Sequence, residues 1–304
     1  MRNTCINALA DLADEGVPIH FLTADLGFKI LDAFRERHPR AFTNVGVAEA
    51  NMVSVAAGMA TLGLRPVCYS MVPFLFMRAF EQVRIDVVAH GLPVILLGVG
   101  GGLSYGHEGT THHAWEDLAM ARALPGLRVV APGDPHEARQ AIRDAAVEAG
   151  PTYIRLGQNG DRVLHTAIPN SIREPIEVMK GDGRVLLVAT GHILAEVVEA
   201  ANRLAIGGMS VTLLSIPTLK PLAPETVAPW LKNTERVITI EEHSRIGGLG
   251  GFFAELICEL GVTAKLTRIG LPDRYCETNG SLAWLRREYR LDASSLVDQI
   301  REVS

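Results

Sequence analysis

Cysteine is scarce in this 304-residue chain: Cys5, Cys68, Cys258 and Cys276 are scattered, and no two form a C-x-x-C pair. That argues against the common zinc and dithiol motifs, whose ligands come in close pairs. Aromatic residues are also few, 6% against 48% hydrophobic residues in all. The apolar content is therefore mostly Ala, Val, Leu and Ile, which suits a helix-and-sheet core. Positive charge is not in excess: the formal net charge is -5, so there is no broad basic field to hold nucleic acid. No apolar run reaches the roughly 18 to 20 residues that span a bilayer. The opening residues, Met1-Arg2-Asn3-Thr4, form neither an apolar signal core nor an Arg/Ser-rich transit segment. These absences lead to the expectation of a cytoplasmic enzyme without nucleic-acid or membrane partners.

What is present is alternation. Short apolar runs at 19–23, 66–69, 93–99, 127–130 and 152–156 read as strands, and helix-spaced stretches lie at 49–62, 74–89, 115–123 and 135–149. The run 93–99 is apolar throughout, as expected of a strand covered on both faces. The pattern predicts a mainly parallel sheet with helices on both sides. Residues 159–183 are polar, carry Pro169 and Pro175, and read as a hairpin plus linker. A second α/β series follows. Its strands fall at 184–190, 210–215, 236–241 and 264–268, and its helices at 193–204 and from the glycine run Gly247-Gly248-Leu249-Gly250-Gly251 through Leu260, before two C-terminal helices. The fold class is α/β with two consecutive domains, 1–165 and a smaller 184–304, joined by a linker at 166–183.

Three segments carry candidate chemistry. In Asn44-Val45-Gly46-Val47-Ala48-Glu49-Ala50-Asn51-Met52, Glu49 opens a helix that is otherwise small and apolar. Position alone reads it as a helix-start carboxylate interacting with the dipole. The other reading is a carboxylic acid in an apolar site, able to share a proton near neutrality. Next, residues 69–83 set Met71, Phe74 and Phe76 at a strand-to-helix junction, which taken alone is core packing. Last, Gly106-His107-Glu108-Gly109-Thr110-Thr111-His112-His113 follows the buried strand and a glycine run. That is the edge where open α/β sheets bind ligands. No ligand spacing there fixes a metal, and none is assigned.

In this order the segments resemble the transketolase family. Gly46-Val47-Ala48-Glu49-Ala50 stands for the family's G-I-R-E-H or G-I-A-E-Q element, Arg78-Ala79-Phe80-Glu81-Gln82 for R-A-[FY]-[DE]-Q, and the loop 106–113 for G-E-D-G-P-T-H-Q. Residues 118–132, Ile240-Glu241-Glu242-His243 and Gly270-Leu271-Pro272-Asp273 are family-like too, so the resemblance spans nearly the whole chain. It implies a pyrimidine-binding domain followed by a transketolase C-terminal domain. It also implies thiamine diphosphate as cofactor, and transfer of a two-carbon ketol unit from a ketose to an aldehyde. In that reading Glu49 hydrogen-bonds the aminopyrimidine and His112 contacts the donor's oxygen near the reacting carbon; these are the catalytic pair. Phe74 stacks on the pyrimidine, with Met71 where the family usually has a second aromatic. Asp25 and Leu26 lie near the thiazolium. Glu108 reads a substrate hydroxyl, with His107, Lys29 and Gln158 as further substrate contacts.

Departures from the family pattern carry expectations as well. Gly100 and Gln158 stand where the family places a His and an Arg that hold substrate phosphate. The expectation is a substrate lacking the usual terminal phosphate, or one held by a different cation such as Lys29, Arg155 or Arg162. The family's diphosphate and metal site, G-D-G followed at a distance by Asn, has no counterpart. Gly181-Asp182-Gly183 reads as a turn, with Asn202 too close behind it. The resemblance therefore implies a separate N-terminal diphosphate-binding subunit, Mg2+ or Ca2+ bound mainly by that subunit, and an α2β2 heterotetramer. Two other readings stand beside this one. A β-type subunit of a 2-oxoacid-decarboxylating enzyme typically carries Q-H where this chain has Thr111-His112. A non-catalytic transketolase-like subunit is the other, and intact Glu49 and His112 speak against it.

Overall fold

The computed structural model describes residues 1–158 and 161–303. The first half supplies six strands: β1 (Ile19–Thr23), β2 (Phe42–Asn44), β3 (Arg65–Met71), β4 (Ile95–Val99), β5 (Arg128–Val130) and β6 (Thr152–Leu156). They pair in parallel in the order β5-β6-β4-β3-β1-β2. Every residue of β4 is buried, which explains its uninterrupted apolar run. Ile95, Leu97 and Val99 point to a core shared with the helices Arg2–Asp14 and Pro135–Val147. Leu96 points to the opposite core, against the helices Glu49–Thr61 and Asp117–Ala123. The two-residue period of a strand thus feeds both faces of one sheet.

The second half adds β7 (Ile176–Met179), β8 (Val185–Thr190), β9 (Thr212–Ser215), β10 (Thr218–Lys220), β11 (Arg236–Ser244) and β12 (Lys265–Leu271). Five of these form a sheet in the order β12-β11-β8-β9-β7. It is parallel except for β7, which runs antiparallel to β9. The chain is therefore two α/β domains, each with a mainly parallel sheet. None of the helices among the described residues is long and apolar enough to cross a membrane.

The sequence pattern does not register the helices Arg2–Asp14, Asp32–Arg37 and Pro224–Leu231 or the short strand β2, and three further features differ from its expectation. The stretch 159–183, read as hairpin plus linker, contains the edge strand β7. Its side chains are half-buried or exposed, so no apolar run announced it; Asn159 and Gly160 lie outside the described residues. Strand β10 leaves the second domain and pairs antiparallel with β5 on the first sheet. It is three residues long and has Pro217 before it and Pro221 after it, too short to register as a period. Finally, the helix expected at 74–89 is irregular, with widened turns at Pro73–Arg78 and Val83–Val88 around a short α segment, Phe80–Gln82. Turns of that kind cluster at functional sites.

The domains are locked by a buried polar network. Arg155 on β6, 2% exposed, reaches Asp117 Oδ2 at 2.9 Å and donates to the carbonyls of Ala114 (2.8 Å) and Glu242 (3.0 Å). Glu242 on β11 accepts from the Leu103 amide (2.8 Å) and Arg286 Nε (2.7 Å), and its Oε1 sits 2.9 Å from His192 Nε2. Burial alone raises the pKa of the Glu242 carboxyl, but Arg286 and His192 outweigh that and hold it well below the ordinary carboxylate range. Truncating such a carboxylate leaves its cations buried without a counter-charge, which costs about 3 to 5 kcal/mol. Glu242→Ala is therefore expected to lower stability by about that much in a urea unfolding series, with both domains lost together. A loss below about 1 kcal/mol, the scale of an exposed pair, would contradict this role.

Candidate active site

The C-terminal ends of β1, β3 and β4 open onto one edge, and the candidate residues gather there. Glu49 is the first residue of its helix, preceded by Ala48, which offers no side-chain cap. Its side chain is 2% exposed. Oε2 receives Arg78 Nη1 at 3.0 Å, and Oε1 lies 3.4 Å from the hydroxyl of Ser70 on β3. Arg78 in turn lies over the Phe74 ring, 4.5 Å from its centroid. The His112 ring meets Phe74 edge-on at 5.1 Å, and its Nδ1 is 2.9 Å from Thr111 Oγ1. Glu49, Phe74 and His112 are thus brought together, with Met71 half-buried at the end of β3.

Asp25 sits at the end of β1 with φ 54°. Asn44, at the end of β2, receives the Asp25 amide on its side-chain oxygen (3.0 Å) and donates to Asp25 Oδ1 (3.0 Å). This clasp fixes the corner at which Leu26 is half-buried, its carbonyl bound by the Thr23 hydroxyl at 2.9 Å. Lys29, His107 and Glu108 are exposed.

Gln158 lines a different cavity, of about 210 Å3, with Arg162, His192 and Arg286 among its walls. Arg155 is not a free cation for substrate: it is buried, paired with Asp117 through Nε, and its Nη2 donates to two carbonyls. Gly100 has its own reason for lacking a side chain. It has φ 85°, and a Cβ there would lie 2.2 Å from the ring of Tyr105. Tyr105 fills the space in which the resemblance expected a histidine.

The second domain seats the histidine loop. The Gly280 amide donates to the Gly106 carbonyl (3.1 Å), and the Thr110 hydroxyl donates to the Cys276 carbonyl (3.1 Å). His113 is buried against Trp115, ring to ring at 6.2 Å, and burial lowers its pKa. Asp182 of the Gly181-Asp182-Gly183 turn accepts the Arg184 amide at 3.1 Å, between β7 and β8. Among the described residues, Asp134, Glu137 and His165 also converge. Their groups are already engaged: Asp134 accepts three backbone amides, and Glu137 faces His165 Nε2 at 2.7 Å. That cluster ties Leu164 and His165, beyond β6, to the helix Pro135–Val147. Sequence reasoning gave Asn44 no role of its own within the 44–52 segment, and it did not single out Tyr105 or the 276–280 segment, which carry no periodic or motif signal.

Residues 1–160 match the transketolase pyrimidine-binding domain, and residues 175–296 match the transketolase C-terminal domain. The chain belongs to the transketolase family. It is 36% identical over 265 residues to one of the subunits of the apulose-4-phosphate transketolase of Actinobacillus succinogenes, covering 87% of this chain and 85% of that protein. It is 32% identical over 305 residues to a 6-deoxy-6-sulfo-D-fructose transketolase subunit of Clostridium sp., covering 100% and 94%. A split-gene transketolase solved as an inactive β4 tetramer superposes with a TM-score of 0.90 at 32% identity, over 99% of this chain and 97% of that one.

Transketolase membership implies dependence on thiamine diphosphate, and the residues here fit its aminopyrimidine. A half-buried aromatic face, Phe74, and a buried acceptor, Glu49, already hold a flat N–H-bearing group, the Arg78 guanidinium.

The Gly100–Tyr105 contact gives a direct test of how this edge is packed. Gly100→Ala is expected to cost about 2 kcal/mol or more, from overpacking and left-handed backbone together. Gly126→Ala, at φ 78° with nothing within 4 Å of its Cβ, should show the backbone share alone. In a Tyr105→Ala background most of the Gly100→Ala excess should vanish. Equal losses at positions 100 and 126 in denaturant unfolding would contradict the contact.

Proposed function

We propose that this chain is the pyrimidine-binding and C-terminal subunit of a two-component transketolase, moving a two-carbon ketol unit from a ketose donor to an aldehyde acceptor. The observation that carries the reading is the buried Glu49 carboxylate beside the Phe74 ring, with His112 edge-on at 5.1 Å. Thiamine diphosphate, when bound, supplies the carbanion chemistry that breaks and remakes the carbon–carbon bond. Glu49 holds a proton against the pyrimidine ring nitrogen. Phe74 and Met71 give that ring an apolar wall and keep water away from it. His112, with Nδ1 engaged by Thr111, offers Nε2 to the donor's oxygen. Asp25 and Leu26 border the thiazolium, and Glu108, His107 and Lys29 line the approach for the sugar.

The diphosphate and its Mg2+ or Ca2+ then belong to a separate N-terminal subunit, in an α2β2 assembly. Two relatives are named as subunits of transketolases, and the split-gene neighbour is inactive as β4, which supports this. The same names, with a phosphate sugar in one and a sulfo sugar in the other, favour ketol transfer over 2-oxoacid decarboxylation. They also favour a substrate with an anionic tail. With Gly100 and Gln158 in place of His and Arg, the Gln158–Arg162 cavity is our choice for that tail.

In the assembled enzyme, Glu49→Gln should lower kcat by about two or more orders of magnitude, since the amide cannot share the proton. Circular dichroism and the unfolding midpoint should change little. Retention of most of the activity would remove Glu49 from this role. For the tail, Arg162→Ala should raise KM for xylulose 5-phosphate about tenfold, the effect of losing one charge-assisted contact, and leave KM for unphosphorylated xylulose unchanged. A parallel rise for both substrates would place the tail elsewhere.

A further inference from the structure

We propose that the Arg78 guanidinium is an internal stand-in for the cofactor's aminopyrimidine and must leave Glu49 before thiamine diphosphate can seat. This rests on the cofactor placement proposed above. Arg78 makes the two contacts which that placement gives to the pyrimidine. It donates to Glu49 Oε2 at 3.0 Å, and it lies over the Phe74 ring at 4.5 Å. A guanidinium is flat, carries its N–H donors in its own plane and stacks on aromatic faces. It can therefore satisfy an aromatic wall and a carboxylate at once, as an aminopyrimidine does. Two flat groups cannot share one ring face and one carboxylate edge, so the arginine and the cofactor compete.

The burial of the two partners assigns the moving part. Glu49 is 2% exposed at the start of a packed helix, while the Arg78 side chain is 52% exposed. The guanidinium keeps part of its hydration, and a long flexible side chain that already reaches solvent can swing out without unpacking the core. Both Phe74 and Arg78 lie in the widened turn Pro73–Arg78, which sets ring and guanidinium on the same side. In the empty site the arginine keeps the buried carboxylate partnered. It also filters what may enter, because a displacing ligand must both stack on Phe74 and hydrogen-bond Glu49.

The test uses the assembled two-subunit enzyme with magnesium, titrated with thiamine diphosphate and followed by calorimetry. Arg78→Met keeps the stem and removes the flat donor group. It should tighten the Kd about tenfold, equivalent to about 1.4 kcal/mol, and speed association. Arg78→Lys, which keeps charge but loses the planar fork, should tighten binding by a smaller factor. In a Glu49→Gln background the gain from Arg78→Met should largely disappear. Unchanged or weaker binding in both arginine variants would overturn the proposal. If instead Glu49→Gln alone altered neither Kd nor turnover, the cofactor placement would fall, and that outcome is distinct from failure of the arginine variants.

Discussion

The buried Arg155–Asp117 pair and its link to Glu242 hold the rest of the molecule in register. Arg155 leaves β6 of the first sheet, bonds the Glu242 carbonyl at 3.0 Å and is answered at 2.9 Å by Asp117. The chain leaving β4 passes directly over this network. A Cβ on Gly101 would lie 2.6 Å from Arg155 Nε, and one on Gly102 would lie 2.4 Å from Glu242 Oε1. The glycine run 100–102 is therefore a packed strip laid across ionised side chains rather than a slack hinge. Buried charges of this kind are tolerable only when counter-charges and hydrogen bonds answer them. Here the Leu103 amide, Arg286 and His192 complete the shell around Glu242. The histidine loop begins three residues beyond that amide, so the position of His112 is inherited from the inter-domain network.

This arrangement explains why the histidine loop of the first domain depends on the second. Residues 276–280 grip the loop through the Gly106 carbonyl and the Thr110 hydroxyl, while β10 is stitched onto the first sheet beside β5. Apolar packing crosses the same boundary: Val72 and Phe76 share a continuous core with Leu249 and Phe253. Glu49 depends on none of this directly. Its burial comes from its own helix packing against β3, where Ser70 stands opposite it.

Much of the first domain was legible in the sequence, because β4 is buried on both faces and shows it as an apolar run, and because Glu49 interrupts an apolar helix. The fold class followed from the strand and helix patterns, and the family from the resemblance of residues 46–50, 78–82 and 106–113 to transketolase segments. Other features left no pattern. β7 is a half-exposed edge strand and β10 only a three-residue one, and neither generates a period. Gly100 stands where the family has a histidine, and nothing local in the sequence signals that Tyr105 occupies the space. Arg155 was a candidate cation by sequence position alone; its partner Asp117 is 38 residues away, beyond the range of any local rule. The grip of Arg78 on both Glu49 and Phe74 likewise depends on side-chain conformation, which spacing does not encode.

The central proposal is that this chain offers the pyrimidine half of a cofactor site whose diphosphate half lies on another polypeptide. Equilibrium titration of thiamine diphosphate with magnesium tests it most directly, on the chain alone and then on the chain mixed with a G-D-G-bearing partner subunit. The account predicts saturable, magnesium-dependent binding in the mixture and only weak binding, insensitive to magnesium, by the chain alone. Tight magnesium-dependent binding by this chain without a partner would contradict it.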